Sequence, residues 1–150
     1  MTIRRLRTEE LPEAMELVLR VFMEFEAPEY SKEGIEEFKR FTAVEAMGPF
    51  VSSGERPIWC CEQDSRIVGV IALRDESHIC LLFVDKAYHR RGIARALFEE
   101  ASKGKETMTV FSSPYAVKAY RWLGFLPTDT EQTVNGLRFT PMRYERISGV

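Results

Sequence analysis

The chain has 150 residues, 45% hydrophobic and 29% charged, enough for one domain with its own core and too few for two comfortable ones. No apolar run approaches the roughly 20 residues that cross a bilayer, and a net charge of −2 supplies no bulk attraction for nucleic acid. A single domain over residues 1–150, with no membrane and no nucleic-acid partner, is expected.

The basic opening Met1-Thr2-Ile3-Arg4-Arg5-Leu6-Arg7 is followed by no apolar signal core, so a cytoplasmic location is expected. Its Ile3 and Leu6 fit a short strand. A helix should start near Thr8 as N-cap, with Pro12 in its first turns and Leu11, Met15, Val18, Leu19 and Phe22 recurring on one face. Glu24 to Gly54 is less patterned: Pro28, a cap at Ser31, a short helix through Ile35 and Phe38, then a Gly/Pro/Ser-rich stretch around Gly48, Pro49, Ser52, Ser53 and Gly54, and a mobile flap is expected over much of the middle of the segment.

From Ile58 the period changes to that of strands. Ile58–Glu62, Ile67–Leu73 and His78–Val84, separated by polar turns, predict an antiparallel meander. Alternation puts His78, Cys80, Leu82 and Val84 on one strand face and sends adjacent Cys60 and Cys61 to opposite faces. The three cysteines lack metal-ligand spacing, so reduced, half-buried thiols are expected and no metal site.

The apolar strand ending at Leu82-Phe83-Val84 runs into the basic turn His89-Arg90-Arg91-Gly92, which opens a helix carrying Ile93, Leu97, Phe98 and Ala101 and ending at Gly104. A helix start presents unpaired N–H groups and the positive end of its dipole, and Gly92 has no side chain to hold an anion away. A phosphorylated ligand is expected there. Thr107–Phe111 then reads as a strand parallel to His78–Val84, because a strand, crossover helix and strand in sequence require it.

Ser113 and Pro114 read as the cap and first position of a second helix, which stops at Gly124. Strand material at Phe125–Thr128 and Val134 follows. An Asn135-Gly136 turn then leads to a last strand, Leu137–Tyr144, interrupted by Pro141, whose edge is free to pair across a homodimer.

The order of elements, His89-Arg90-Arg91-Gly92-Ile93-Ala94 at the first helix and Ala116-x-x-Ala119-Tyr120-Arg121-Trp122-Leu123-Gly124-Phe125 at the second, resemble the GNAT (Gcn5-related N-acetyltransferase) superfamily. The likeness spans nearly the whole chain and is strongest from Ile67 to Phe125. It implies an α+β (α/β) fold: a central mixed sheet of about seven strands flanked by about four helices, with a splayed parallel strand pair. The family's pyrophosphate motif is Gln or Arg, two residues, Gly, one residue, then Gly or Ala. Gly92 and Ala94 match it, and His89 stands at the first position.

By that resemblance the cofactor is acetyl-CoA. Its pyrophosphate would meet the backbone from Arg91 through Gly92 and Ile93 to Ala94, with charge from Arg90, Arg91 and Arg95 and flanking contacts from His89 and Ser113. Its pantetheine arm would pair as a pseudo-strand with the free backbone groups of Leu82, Phe83 and Val84. Tyr120 matches the family's tyrosine beside the CoA sulfur, able to protonate the departing thiolate or hydrogen-bond it.

The general base is open. An amine acceptor is mostly ammonium at neutral pH and must lose a proton before attack. His78, on the strand leading to the basic turn, has a suitable pKa range, and Asp75 and Glu76 are substitutes. Cys80 reads as a packed thiol rather than an acyl carrier, since no cationic partner lies beside it in sequence. Glu24, Glu26, Glu29 and Tyr30 would face the acceptor and favour a cationic amine.

The sequence therefore predicts an acetyl-CoA-dependent N-acetyltransferase that acts on a small-molecule or peptide amine. The alternative is a catalytically silent domain of the same fold that binds CoA as a sensor or assembly module.

Overall fold

The structure is a computed structural model that describes residues 1–147. Strand β1 (Thr2–Arg5) leads into α1 (Leu11–Phe25), then α2 (Lys32–Thr42) and α3 (Val44–Ser53). The meander β2 (Ile58–Gln63), β3 (Arg66–Arg74) and β4 (His78–Val84) follows. After it come α4 (Ile93–Ala101), β5 (Thr107–Ser112), α5 (Val117–Leu123), β6 (Leu126–Pro127), β7 (Gln132–Val134) and β8 (Leu137–Glu145). Among the described residues this makes eight strands and five α-helices around one open mixed sheet, the architecture that the resemblance implies. No described helix is long and apolar enough to cross a membrane.

The sheet runs β1-β2-β3-β4-β5-β8-β6, with β7 paired to β8. Its one parallel contact among the described residues is β4 with β5, joined by the α4 crossover. One face packs against α1, through Leu11, Met15, Val18 and Phe22, together with Met47 of α3 and Phe38 of α2. The other packs against α4 and α5, through Ile93, Leu97, Phe98, Tyr120 and Leu123. Cys60 belongs to the first layer and Cys61 to the second, as alternation requires.

Several local expectations are corrected. Thr8 is no cap: it opens a 3-10 turn, and Glu10 orders this entry by accepting the Arg7 N–H at 2.9 Å and the Arg4 guanidinium at 2.8 Å. The flap expected over much of the middle of Glu24–Gly54 is instead helical, α2 followed by α3 across the Gly48-Pro49 stretch. Pro49 removes one backbone donor, yet fully buried Met47 anchors the turn, and Gly54 (φ 84°) ends it in the left-handed conformation.

Ser113 caps a separate turn through Ala116 N–H at 3.2 Å, and α5 begins only at Val117. β8 runs unbroken through Pro141, which loses its N–H but still accepts from Thr128 N–H at 2.9 Å. That strand has β5 on one side and β6 and β7 on the other, so its edge is not free for the expected dimer pairing.

The most consequential correction lies in β4. Ala72 pairs with Leu81 and Leu73 with Ile79, so Cys80 is an extra residue in the ladder. Such a bulge shifts the side-chain alternation by one position. Leu82 and Val84 pack toward α4, whereas Cys80 packs toward α1. His78 lies with Cys80, against Thr109 and Phe111, and not with Leu82 and Val84.

Candidate active site

The basic turn is built by alternating backbone hands. Arg90 has φ 63° and Gly92 φ 77°, and Ala96 N–H is the first in α4 to find a backbone acceptor, Gly92 O at 3.0 Å. The amides of Ile93, Ala94 and Arg95 ahead of it are left free by helix geometry. Successive N–H groups in this conformation form an anion-binding concavity at the positive end of the helix dipole. A Cβ built at Gly92 meets nothing within 4 Å, so the concavity is open.

Side chains around the turn brace it. His89 donates from Nε2 to Val84 O at 2.8 Å and packs on Phe25, ring centroids 5.2 Å apart. Asp85 accepts from Ala87 N–H and from Arg20, both at 2.9 Å, and Lys86 pairs with Glu24 at 3.2 Å. Arg95 is committed to Trp122 O at 2.7 Å. Arg90 and Arg91 are exposed, with Arg91 over the Tyr88 ring at 5.1 Å.

Parallel pairing of β4 with β5 stops after His78–Thr109 and Ile79–Val110. Beyond that point the strands part, leaving backbone groups of Cys80–Val84 available to an extended chain. A cavity of about 400 Å³ opens in this cleft, lined by both strands, Tyr120, Glu26, Tyr30 and the aromatic rings of Phe41, Phe111 and Phe139. Among the expected site residues, His78, Leu82, Phe83, Ser113 and Tyr120 meet here. The His89–Arg95 turn stands apart, at the far end of β4, and the Val84 carbonyl is occupied by His89.

Burial reshapes the chemistry of the cavity. Tyr120 is 6% exposed, and its phenol is pushed well above the ordinary value by burial, by the Glu26 carboxylate and by Cys80. His78 bonds Thr109 Oγ1 through Nδ1 at 2.8 Å. Burial, then the nearby Arg74 charge, pushes its pKa down to about 4. The Cys80 thiol donates to Ala72 O at 3.4 Å, and burial pushes its pKa up to about 11, so it is a protonated packing group.

Glu26 is the residue whose role the sequence left obscure. It follows the last turn of α1 and enters the cavity beside the Ser113 hydroxyl. Burial pushes its pKa up to about 7, with Ser113 opposing that shift and Glu29 adding to it. The Tyr30 phenol is raised by burial and by Glu26, with the Ser113 hydroxyl opposing. Ser113 thus lines the cavity together with the acid. The readable sequence signal was a carboxylate just past a helix end, in a stretch whose acidic residues otherwise read as solvated.

The arrangement fits CoA: an open phosphate concavity, a parted strand pair beside it, and a buried phenol in the cavity that continues the cleft. Residues 26–146 match the family model described as acetyltransferase (GNAT) domain. The uncharacterized N-acetyltransferase YafP of Escherichia coli is 37% identical over 92 residues, which is 59% of this chain, and the chain spans about 60% of that relative's length. The PaiA N-acetyltransferase of Thermoplasma acidophilum in complex with coenzyme A superposes with TM-score 0.80 at 20% identity, over 97% of this chain and 98% of that one. A GCN5-related N-acetyltransferase structure from Rhodopseudomonas palustris gives 0.78 at 17%, over 97% and 95%. With the family model spanning most of its length, this chain belongs to the GNAT acetyltransferase family.

Proposed function

We propose that the chain is an acetyl-CoA-dependent N-acetyltransferase that acetylates the amine of a small molecule or peptide by direct attack, within a single domain over residues 1–150. Residues 148–150 of that span lie outside the described residues. The observation that carries the reading is the joining of Tyr120 and Glu26 in one cavity at the parting of β4 and β5, continuous with the strand that ends at the Gly92 concavity.

Acetyl-CoA supplies the thioester: the amine nitrogen bonds its carbonyl carbon, the carbon–sulfur bond breaks, and CoA leaves as a thiolate. The backbone of Arg91–Ala94 holds the phosphates, and Arg90 and Arg91 add charge from solvent. Glu26 takes the proton from the ammonium, because a carboxyl at about 7 is a stronger base than an imidazole at about 4. His78 then serves the cavity wall, fixed by Thr109.

Tyr120 stabilises the thiolate by hydrogen bonding. An ordinary phenol at about 10 already loses to a thiol at about 8.5 as a proton donor, and burial widens that gap. Protonation of the thiolate then follows from solvent or from the proton that Glu26 holds. A carboxylate with raised pKa in the cavity weighs against the silent-domain alternative, which an absent base would favour.

The test is acetyl-CoA consumption with a panel of amines and peptides, read as thiol release and product mass. CoA binding without acetylation of any amine in the panel would sink the catalytic reading.

A further inference from the structure

Four carboxylate or guanidinium side chains line the cavity: Glu26, Glu37, Arg74 and Arg138. Glu37 is neutralised by Arg40 at 2.6 Å, and Arg138 by Glu131 at 3.0 and 3.2 Å. Glu26 and Arg74 have no ion partner among the described residues. Arg74 Nε is moreover buried with no hydrogen-bond partner, and its guanidinium lies 6.0 Å from the centre of the Phe111 ring.

A guanidinium presents coplanar N–H donors at the spacing that a carboxylate takes with both oxygens. The Nε–H is sealed in the cavity wall, so the two terminal nitrogens, which have no protein acceptor among the described residues, are the donors left for a ligand carboxylate. Arg74 is opposite His78 in the β3–β4 ladder, whereas the Gly92 turn follows Val84. The intervening strand spans about 20 Å at ~3.3 Å per residue, so Arg74 serves the acceptor end and not the CoA phosphates.

We propose that the acceptor is an amine that also bears a carboxylate, an amino acid, with its amine at Glu26, its carboxylate at Arg74, and its body between Phe41, Phe111 and Phe139. This rests on the acetyltransferase reading for the identity of the cavity as an acceptor site, and it adds the substrate class.

The test uses matched pairs that differ only in the carboxylate: phenylalanine with phenethylamine, and lysine with cadaverine. Each is titrated calorimetrically into the CoA-saturated protein, so no turnover is needed. In at least one pair the carboxylate-bearing member is expected to bind roughly ten-fold tighter or more. Arg74→Gln should bring that pair near parity, with Arg74→Lys recovering part of the preference. Circular dichroism confirms that each variant is folded.

Equal binding within both pairs, no binding by any member, or a preference that survives Arg74→Gln overturns the proposal. Thiol release distinguishes this failure from that of the wider reading. Turnover of amines without any carboxylate preference keeps the acetyltransferase and removes the amino-acid acceptor. Carboxylate-dependent binding without turnover does the reverse.

Discussion

Gly34 of α2 and Gly136 of the β7–β8 turn meet so closely that neither has room for a side chain. A Cβ on Gly34 would collide with the Gly136 carbonyl, and one on Gly136 would meet Gly34 N and Ser31 Oγ, both at 2.5 Å. Asn135 and Gly136 both take positive φ, 52° and 78°, which turns the hairpin tightly enough to reach the helix. Through this contact α2, with Phe38 and Phe41, and the hairpin, with Leu137 and Phe139, are held together in the wall of one cavity.

Gly34→Ala is therefore expected to act against helix propensity. In an open helix Ala would gain about 1 kcal/mol over Gly; here overpacking should cost roughly 1–3 kcal/mol. Urea unfolding reads the sign directly. Acceptor KM should rise with it, since these two parts of the cavity wall are forced apart, while CoA affinity at the remote turn stays close to wild type. A stabilised variant would show that the contact yields without strain.

Gly92→Val tests the phosphate site. The space around Gly92 is empty, so the cost is backbone conformation: φ 77° is poorly tolerated by a β-branched residue. The concavity should flatten and CoA affinity fall at least about ten-fold, whereas the core contacts of Ile93 and Leu97 keep the fold. Calorimetric titration with CoA, alongside a thermal melt, checks both halves. Unchanged affinity in the folded variant would move the phosphates elsewhere.

The elements around the cofactor end were legible because local chemistry dictates them: a basic turn, a glycine with positive φ, and an apolar helix face follow one another within a few residues. The β4 bulge was not. Cys80 has the same apolar character as its neighbours, and only the β3 register shows that it has no opposite residue. The acceptor side was least readable for a related reason. α3 is held by the burial of Met47, against the local signal of Gly48-Pro49. Glu26 acquires its chemistry from burial in a cavity completed by Ser113, Ala116 and Tyr120, roughly 90 positions later in the chain.

Glu26 should impose a pH dependence on both rate and stability. Its carboxyl is raised in the folded state, from 4.5 to about 7, by burial first and by Glu29 second, with the Ser113 hydroxyl opposing and the Tyr30 and Tyr120 phenols close by. A raised carboxyl contributes stability that is fully present below pH 4.5 and lost as pH rises through 7. Glu26→Gln, which mimics the neutral form, should thus gain stability relative to wild type between pH 5 and pH 8, measured by urea unfolding.

The same substitution removes the base. The acidic limb of kcat/KM is expected to titrate near 7 in the wild type and to disappear in Glu26→Gln, with a rate loss of roughly 100- to 10,000-fold. His78→Ala should keep that limb, because an imidazole held near 4 is already neutral across it. A limb lost in His78→Ala and kept in Glu26→Gln would reverse the assignment.

Tyr120→Phe isolates the phenolic hydroxyl. The ring packs edge-on against Phe125, centroids 5.3 Å apart, and the substitution keeps that contact, so stability should hardly move. The hydroxyl has no hydrogen-bonded protein partner among the described residues, so its deletion leaves no protein group unsatisfied. What it removes is a donor that the ground-state thioester sulfur uses weakly and the developing thiolate uses strongly, an interaction that favours the transition state. The chemical step should slow by roughly ten- to a thousand-fold while CoA affinity is retained. Product release can conceal such a loss in the steady state, so single-turnover acetylation is the decisive measurement. A wild-type rate there would confine Tyr120 to packing and leave the thiolate to the dipoles of the β4 backbone.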